Sequence, residues 1–340
     1  FYQRRLIRII PLLLVVISVI GIGGYFLLTP NEFKSLGRHI AAASLFGSNF
    51  QLLKEVDYFG AAADTKPLLH LWSLGIEEQF YLILPLLLTF FGRKKWKSFI
   101  LINLVLLLSF LYSCYLLSTK QEAAFFRPES RFWELLMGVA LARFEKLKGG
   151  VHFPWRQGYG VLGLILCLFG IMTFSGKDAY PGLNALVPTL GASLIILSGS
   201  HGLVNRTLFS NPIMIFIGKI SYSLYLWHWP LLSLTHMFYP ESVPFNVTVQ
   251  VMILAFLMSV ATFYAVEKPL KFLSEEQKRF VSVFAFSGLL VGFSVGRMIY
   301  KEKIEQHFVN GKTKELMEAS TQWVDFSKIA KTGEVYQTSY

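Results

Sequence analysis

Charge is scarce in this chain of 340 residues: Asp, Glu, Lys and Arg together make up 16%, against 54% hydrophobic residues. With a mean hydropathy of +0.49, that balance excludes an ordinary soluble globular protein. Cysteine is scarcer still. Cys114 and Cys167 both lie inside apolar runs, which excludes a disulfide framework and leaves membrane-core packing as their reading. No His, Cys or carboxylate spacing of metal-ligand type occurs, so no metal is expected. There is no repeat of fixed period, which removes solenoids and gives no support to an inverted-repeat transporter. An initiator Met and a secretory signal are also lacking; Phe1 opens directly onto Gln3-Arg4-Arg5-Leu6-Ile7-Arg8, and further sequence is expected upstream. The formal charge of +11 does not point to nucleic acid, because the basic residues form short clusters between apolar runs rather than one stripe.

What the chain has in quantity is apolar sequence long enough to cross a bilayer of roughly 30 Å. Candidate spans are 12–28, 76–92, 98–118, 131–145, 159–174, 183–200, 213–236, 247–266 and 281–299. The expected fold is an all-α integral membrane protein, a polytopic helical bundle of about nine spans. Arg4, Arg5 and Arg8 put the start inside, and Arg93, Lys94, Lys95 and Lys97 mark an inside loop. Arg143, Lys146, Lys148 and Arg156 mark a second, and Lys268, Lys271, Lys278 and Arg279 a third. Residues 38–53 are helical and fairly apolar, but a crossing there would put 93–97 outside, so this stretch is read as re-entrant or interfacial. Residues 1–300 form the transmembrane domain, which ends outside. The polar, charged residues 301–340 read as an extracytoplasmic linker or the start of a further domain.

Ionisable residues in hydrocarbon are expensive, so their presence is a functional hypothesis. His70, Glu77 and Glu78 lie seven and eight apart, which on a continuous helix stacks them on one side. Arg127, Glu129, Arg131 and Glu134 flank the outer start of another span. Ser221, Tyr225 and His228 form a stripe expected to face the bundle interior. These groups supply acids and bases, cations and hydroxyl donors, the parts that acyl transfer requires. A structural alternative stands beside this reading, since buried Glu–Arg and His–Tyr pairs also hold helices together. Arg131 and Glu134, three apart, fit it well, and Trp227 and Trp229 allow His228 to belong to an interfacial belt. His39, His152, His201, His236 and His307 lie in or near loops and are expected to carry no special role. Arg5 and Arg8 share a helical face suited to phosphates, although taken alone they are better explained as anchors of an inside loop.

The run from Pro67 to Tyr81, Pro-Leu-Leu-His-Leu-Trp-Ser-Leu-Gly-Ile-Glu-Glu-Gln-Phe-Tyr, resembles the signature of the acyltransferase-3 family of membrane O-acyltransferases. Arg4 to Pro11 is similar to that family's Arg-rich motif after its second helix. Ser130 to Gly138 resembles its Thr-Arg-x-Trp-Glu-Leu-Leu-x-Gly pattern, and Ile217 to Pro230 and Glu267-Lys-Pro269 resemble two later motifs. Five motifs in order over about 270 residues are specific. The resemblance implies O-acylation, commonly O-acetylation, of an extracytoplasmic glycan (lipopolysaccharide O-antigen, peptidoglycan or exopolysaccharide) by a bacterial plasma-membrane protein. The implied donor is cytosolic acyl-CoA (acetyl-CoA), with no permanently bound cofactor. Arg5 and Arg8 would then bind the donor. His70, Glu77, Glu78 and His228 would be catalytic, and Trp72, Arg131, Glu134 and Tyr225 would contact substrate.

The family also carries an Arg and a catalytic His on a first helix, for which this chain offers no counterpart. Two further helices are therefore expected upstream, making about eleven spans, and a chain truly without them is expected to be inactive. Members with a comparable tail continue into an SGNH-type hydrolase-like domain. A translocator that passes acyl groups to such a domain, and an inert structural chain, are the competing classes.

Overall fold

The computed structural model describes residues 1–59, 63–91, 95–147, 156–175, 178–200, 202–239 and 241–301. The expectations for 302–340, and for Arg93, Lys94, Lys148, His152, His201 and His307, lie outside these residues. Thirteen α-helices make up the described architecture, with no strand among the described residues. They are α1 (Tyr2–Leu27), α2 (Pro30–Ser44), α3 (Ser48–Phe59), α4 (Leu71–Phe91), α5 (Lys95–Thr119), α6 (Gln121–Phe126) and α7 (Phe132–Leu147). There follow α8 (Arg156–Thr173), α9 (Gly182–Ser198), α10 (Pro212–Phe238), α11 (Phe245–Thr262), α12 (Lys268–Leu270) and α13 (Glu275–Lys301). Each of the nine apolar segments expected to span falls on a helix. Five of these helical stretches are long and apolar enough to cross a membrane: Tyr2–Leu27, Leu71–Thr89, Trp96–Thr119, Phe245–Leu270 and Glu275–Lys301. Their outward faces carry exposed Ile22, Phe26, Leu107, Leu111, Leu257 and Phe284, a surface that suits lipid and that water would penalise.

α1 sits at the centre. Its Ile9, Leu12, Leu13, Val16, Ile17 and Ile20 recur at helical spacing and are buried against Leu36 and Ile40 of α2, Leu71 and Leu74 of α4, and Leu226 and Trp227 of α10. A reciprocal capping box at Thr29 and Glu32, followed by Pro30, starts α2 immediately after α1 ends. α2 then runs antiparallel to α13, with Gly37 beside Ile299 and Gly296, and Ser44 beside Gly292. Gly292 and Gly296, four apart, let the two backbones approach closely, as small residues do between membrane helices.

Residues 38–53 form two helices rather than one. The break falls at Leu45, Phe46 and Gly47, where Phe46 takes φ +52, a left-handed conformation rare for a bulky residue. This tip is pinned from α4: Gln79 Nε2 donates to the Phe46 carbonyl (2.7 Å) and to Asn49 Oδ1 (3.0 Å). Asn49 Nδ2 in turn donates to the Phe126 carbonyl (3.1 Å). Gly75 leaves room for the tip, since a Cβ there would lie 2.8 Å from the Phe46 carbonyl oxygen. The turn's own amides are bonded as well, with the Leu45 and Gly47 N–H groups donating to the Ala42 carbonyl and that of Phe46 to the Ala43 carbonyl.

Candidate active site

The first two turns of α4 and the segment leading into it form the hub. Residues 67–70 make tight turns, with Trp72 N–H donating to the Leu69 carbonyl and Ser73 N–H to the His70 carbonyl. His70 therefore precedes the helix instead of sharing its face with the two glutamates. It is 6% exposed. Its ring lies 4.9 Å from that of Tyr225 and 5.8 Å from that of His228 (centroid to centroid). Tyr225 Oη donates to the His70 carbonyl (2.5 Å) and shares a hydrogen bond with Ser73 Oγ (3.0 Å). Neither His70 ring nitrogen has a hydrogen-bond partner. An orphaned buried imidazole is costly, and such a group in a native fold calls for an explanation. Burial, with a smaller push from the neighbouring His228, holds its pKa down to about 3, so it is neutral at physiological pH.

His228 is differently held. Its Nδ1 lies 3.0 Å from the Leu224 carbonyl, and a carbonyl only accepts, so Nδ1 carries a proton and the lone pair of the neutral ring is at Nε2. Two imidazoles thus face each other, one with no partner and one with its tautomer fixed. α10 is tied to its surroundings on both sides of this pair. Tyr222 Oη donates to the Ile9 carbonyl of α1 (2.7 Å), and Trp229 Nε1 donates to the Lys66 carbonyl (3.0 Å).

The two glutamates separate. Glu78 faces α1, with an oxygen 4.0 Å from Arg5 Nη1, and the Arg5 guanidinium stacks 3.1 Å from the Tyr81 ring centroid. Glu77 is exposed. Arg5 and Arg8 also part. Arg8 lines a cavity of about 260 Å³ together with Arg4, Lys271, Lys278 and Glu267. Glu267 is buried in a π-helical turn, Phe263–Glu267, where it accepts a very short hydrogen bond from Ser223 Oγ.

Trp72 turns to a third side of α4 and joins Arg131. The Arg131 guanidinium lies over the rings of Trp72, Phe125 and Tyr180 at 5.5, 5.5 and 5.4 Å. It pairs with Glu134 at 3.1 Å. Arg131 Nη1 and Glu134 Oε1 are nevertheless buried with no partner, so the pair keeps a donor and an acceptor to offer.

Two further expectations need correction. Ser221 is exposed and donates to the Gly218 carbonyl (3.0 Å), so the inward polar face of α10 runs through Tyr222, Ser223 and Tyr225 instead. A hydroxyl satisfied by its own helix carries little penalty for facing outward. His39 is far from idle: it is 4% exposed and its Nε2 lies 2.8 Å from Glu55. His236, in the last turn of α10, has its Nδ1 2.9 Å from the Leu232 carbonyl of its own helix. Tyr180 and Ser73 escaped the sequence reading. Ser73 had a signal, three residues after His70, whereas Tyr180 had none.

The acyltransferase-domain family, of acyltransferase-3 type, matches residues 1–267, which carry the first four motifs named above and the Glu267 that opens the fifth. This chain belongs to that family. Two Staphylococcus aureus proteins named as O-acetyltransferases, from strains COL and N315, are each 32% identical to it over 257 residues, covering 71% of this chain and 42% of theirs. O-acetyltransferase OatA of S. aureus strain NCTC 8325 is 29% identical over 306 residues, covering 84% of this chain and 48% of its own length. The chain thus spans less than half the length of these relatives. No solved structure matches it significantly.

Proposed function

We propose that this chain is the membrane part of an O-acetyltransferase that moves an acetyl group from cytosolic acetyl-CoA to a hydroxyl of an extracytoplasmic glycan in a bacterial plasma membrane. The observation that carries the reading is the facing imidazole pair, His70 with no hydrogen-bond partner and His228 with Nε2 free, at the point where α4 and α10 meet. The family and the names of the relatives support acetyl transfer to oxygen.

In this reading nine helices cross, with the N-terminus inside. Support comes from the cavity that gathers Arg4, Arg8, Lys271 and Lys278 at one end of α1 and α13, a cationic site for the phosphates of the donor. The acceptor hydroxyl attacks the thioester carbonyl while its proton passes to His228 Nε2. The neutral His70 donates a hydrogen bond to the developing oxyanion, a task for which its low pKa suits it better than general base. The C–O bond forms, the C–S bond breaks, and coenzyme A leaves as a thiolate that recovers the proton. Trp72, Arg131 and Glu134, with a free donor and acceptor between them, orient the sugar. Arg5 and Glu78 brace α1 against α4.

His228→Gln in the full-length protein should lower acetyl transfer from labelled acetyl-CoA by about a hundredfold or more, at unchanged accumulation in the membrane. Wild-type rates in this variant would refute the assignment of the base.

A further inference from the structure

On the far side of Lys66 from the imidazole pair lies a feature that the transfer chemistry does not use. α2, α3 and the end of α13 enclose a cavity of about 690 Å³ lined in part by Arg38, Gln51, Lys54, Glu55, Arg297 and Tyr300. A second lobe of about 520 Å³ shares Arg38, Glu55 and Tyr300 and adds Lys34 and Lys66. Each volume is in the range of small-molecule sites. Among the described residues the charge is one-sided: five cationic side chains line the two lobes against one carboxylate. That carboxylate is already engaged. Glu55 accepts from Lys66 Nζ (2.6 Å) and Gln51 Nε2 (3.0 Å), and lies 2.8 Å from His39 Nε2. Arg38 and Lys34 stack toward the Tyr300 ring at 5.2 and 5.9 Å, and Arg38 Nε is buried without a hydrogen-bond partner. Among the described residues Arg38, Lys54 and Arg297 form no ion pair.

Cations gathered around a partnerless guanidinium nitrogen are costly unless an anion joins them. We propose that this cavity binds an oxyanion, phosphate or carboxylate, carried by the acceptor, with Arg38 and Arg297 as its principal ligands. The proposal rests on the acyltransferase reading and narrows its substrate to an anionic acceptor. The wall links the two sites. Lys66 holds Glu55 through its side chain and receives Trp229 of α10 through its carbonyl, and only three residues separate it from His70. An acceptor anchored here is thereby attached to the segment that positions the unpartnered imidazole.

The test uses the full-length protein in phosphatidylcholine nanodiscs, with inorganic pyrophosphate as the binding probe and glycan fragments with and without an anionic group as acceptors. Pyrophosphate should bind the wild type, and Arg38→Gln and Arg297→Gln should each weaken it about tenfold, with partial recovery in Arg38→Lys. The same variants should raise KM about tenfold for the anionic acceptor only, leaving kcat and the neutral acceptor unchanged. Absent pyrophosphate binding, or binding indifferent to both arginines, overturns the proposal. Displacement of pyrophosphate by phosphatidylglycerol with no change in acceptor KM assigns the oxyanion to a lipid headgroup and overturns the acceptor assignment. Pyrophosphate binding that follows the arginines, in a protein without any acetyl transfer, keeps the anion site and removes the acyltransferase reading.

Discussion

His70 and Glu55 show opposite ways in which a buried ionisable group is tolerated. His70 stays neutral because nothing nearby favours its charge. Its folded pKa of about 3 lies below the ordinary 6.5, so the unfolded chain binds the extra proton between those values and stability falls as pH drops through that window. Melting in detergent should show a loss of about 2 kcal/mol by pH 5 that is absent in His70→Gln. Burial pushes the Glu55 carboxyl up, but the bonds and charge of His39 and the bonds from Lys66 and Gln51 outweigh it and hold it well below the ordinary 4.5. Its stabilising effect is therefore intact above pH 4.5 and lost only in stronger acid. Glu55→Gln leaves Lys66 and His39 without a carboxylate and should cost about 3 kcal/mol at neutral pH; an unchanged melting temperature would contradict the pairing. At this scale the sequence spoke selectively. His70 and His228 stood out within motifs, whereas the His39–Glu55 pair spans sixteen residues and depends on a chain reversal between them.

That reversal belongs to the scale of elements. Apolar run length located all nine candidate spans on helices, because a stretch that must satisfy its backbone in hydrocarbon has little choice but helix. The same rule misses a break such as that at Phe46, whose carbonyl at a positive φ is held by Gln79 from α4, distant in the chain. Close packing of α2 on α13 was equally hidden, although its glycines were in view. A Cβ on Gly296 would lie 2.5 Å from the Ala41 nitrogen and 2.7 Å from the Gly37 carbonyl oxygen, both backbone atoms. One on Gly288 would meet the tip of the Leu14 side chain, which can rotate away. Gly296→Val should therefore destabilise the protein by about 2 kcal/mol or more, while Gly288→Ala is tolerated. Equal melting temperatures for the two variants would contradict the packing.

For the whole molecule, α10 links the cationic cavity, through the Ser223–Glu267 hydrogen bond, to the pair of imidazoles, and the start of α4 links that pair to the cluster around Arg131 through Trp72. The motif resemblance anticipated most of these residues. It did not reveal their division among separate faces of α4, because heptad-like spacing fixes direction around a helix only where the helix is continuous, and α4 begins after His70. The central claim is that donor and acceptor meet at the imidazole pair from opposite sides of the bilayer. Sealed proteoliposomes of uniform orientation, with labelled acetyl-CoA on one side and glycan on the other, test it most directly. Transfer should occur only with acetyl-CoA at the face bearing Arg4, Arg8, Lys271 and Lys278 and glycan opposite, and should vanish in His228→Gln. Equal transfer with both substrates confined to one face would contradict the account.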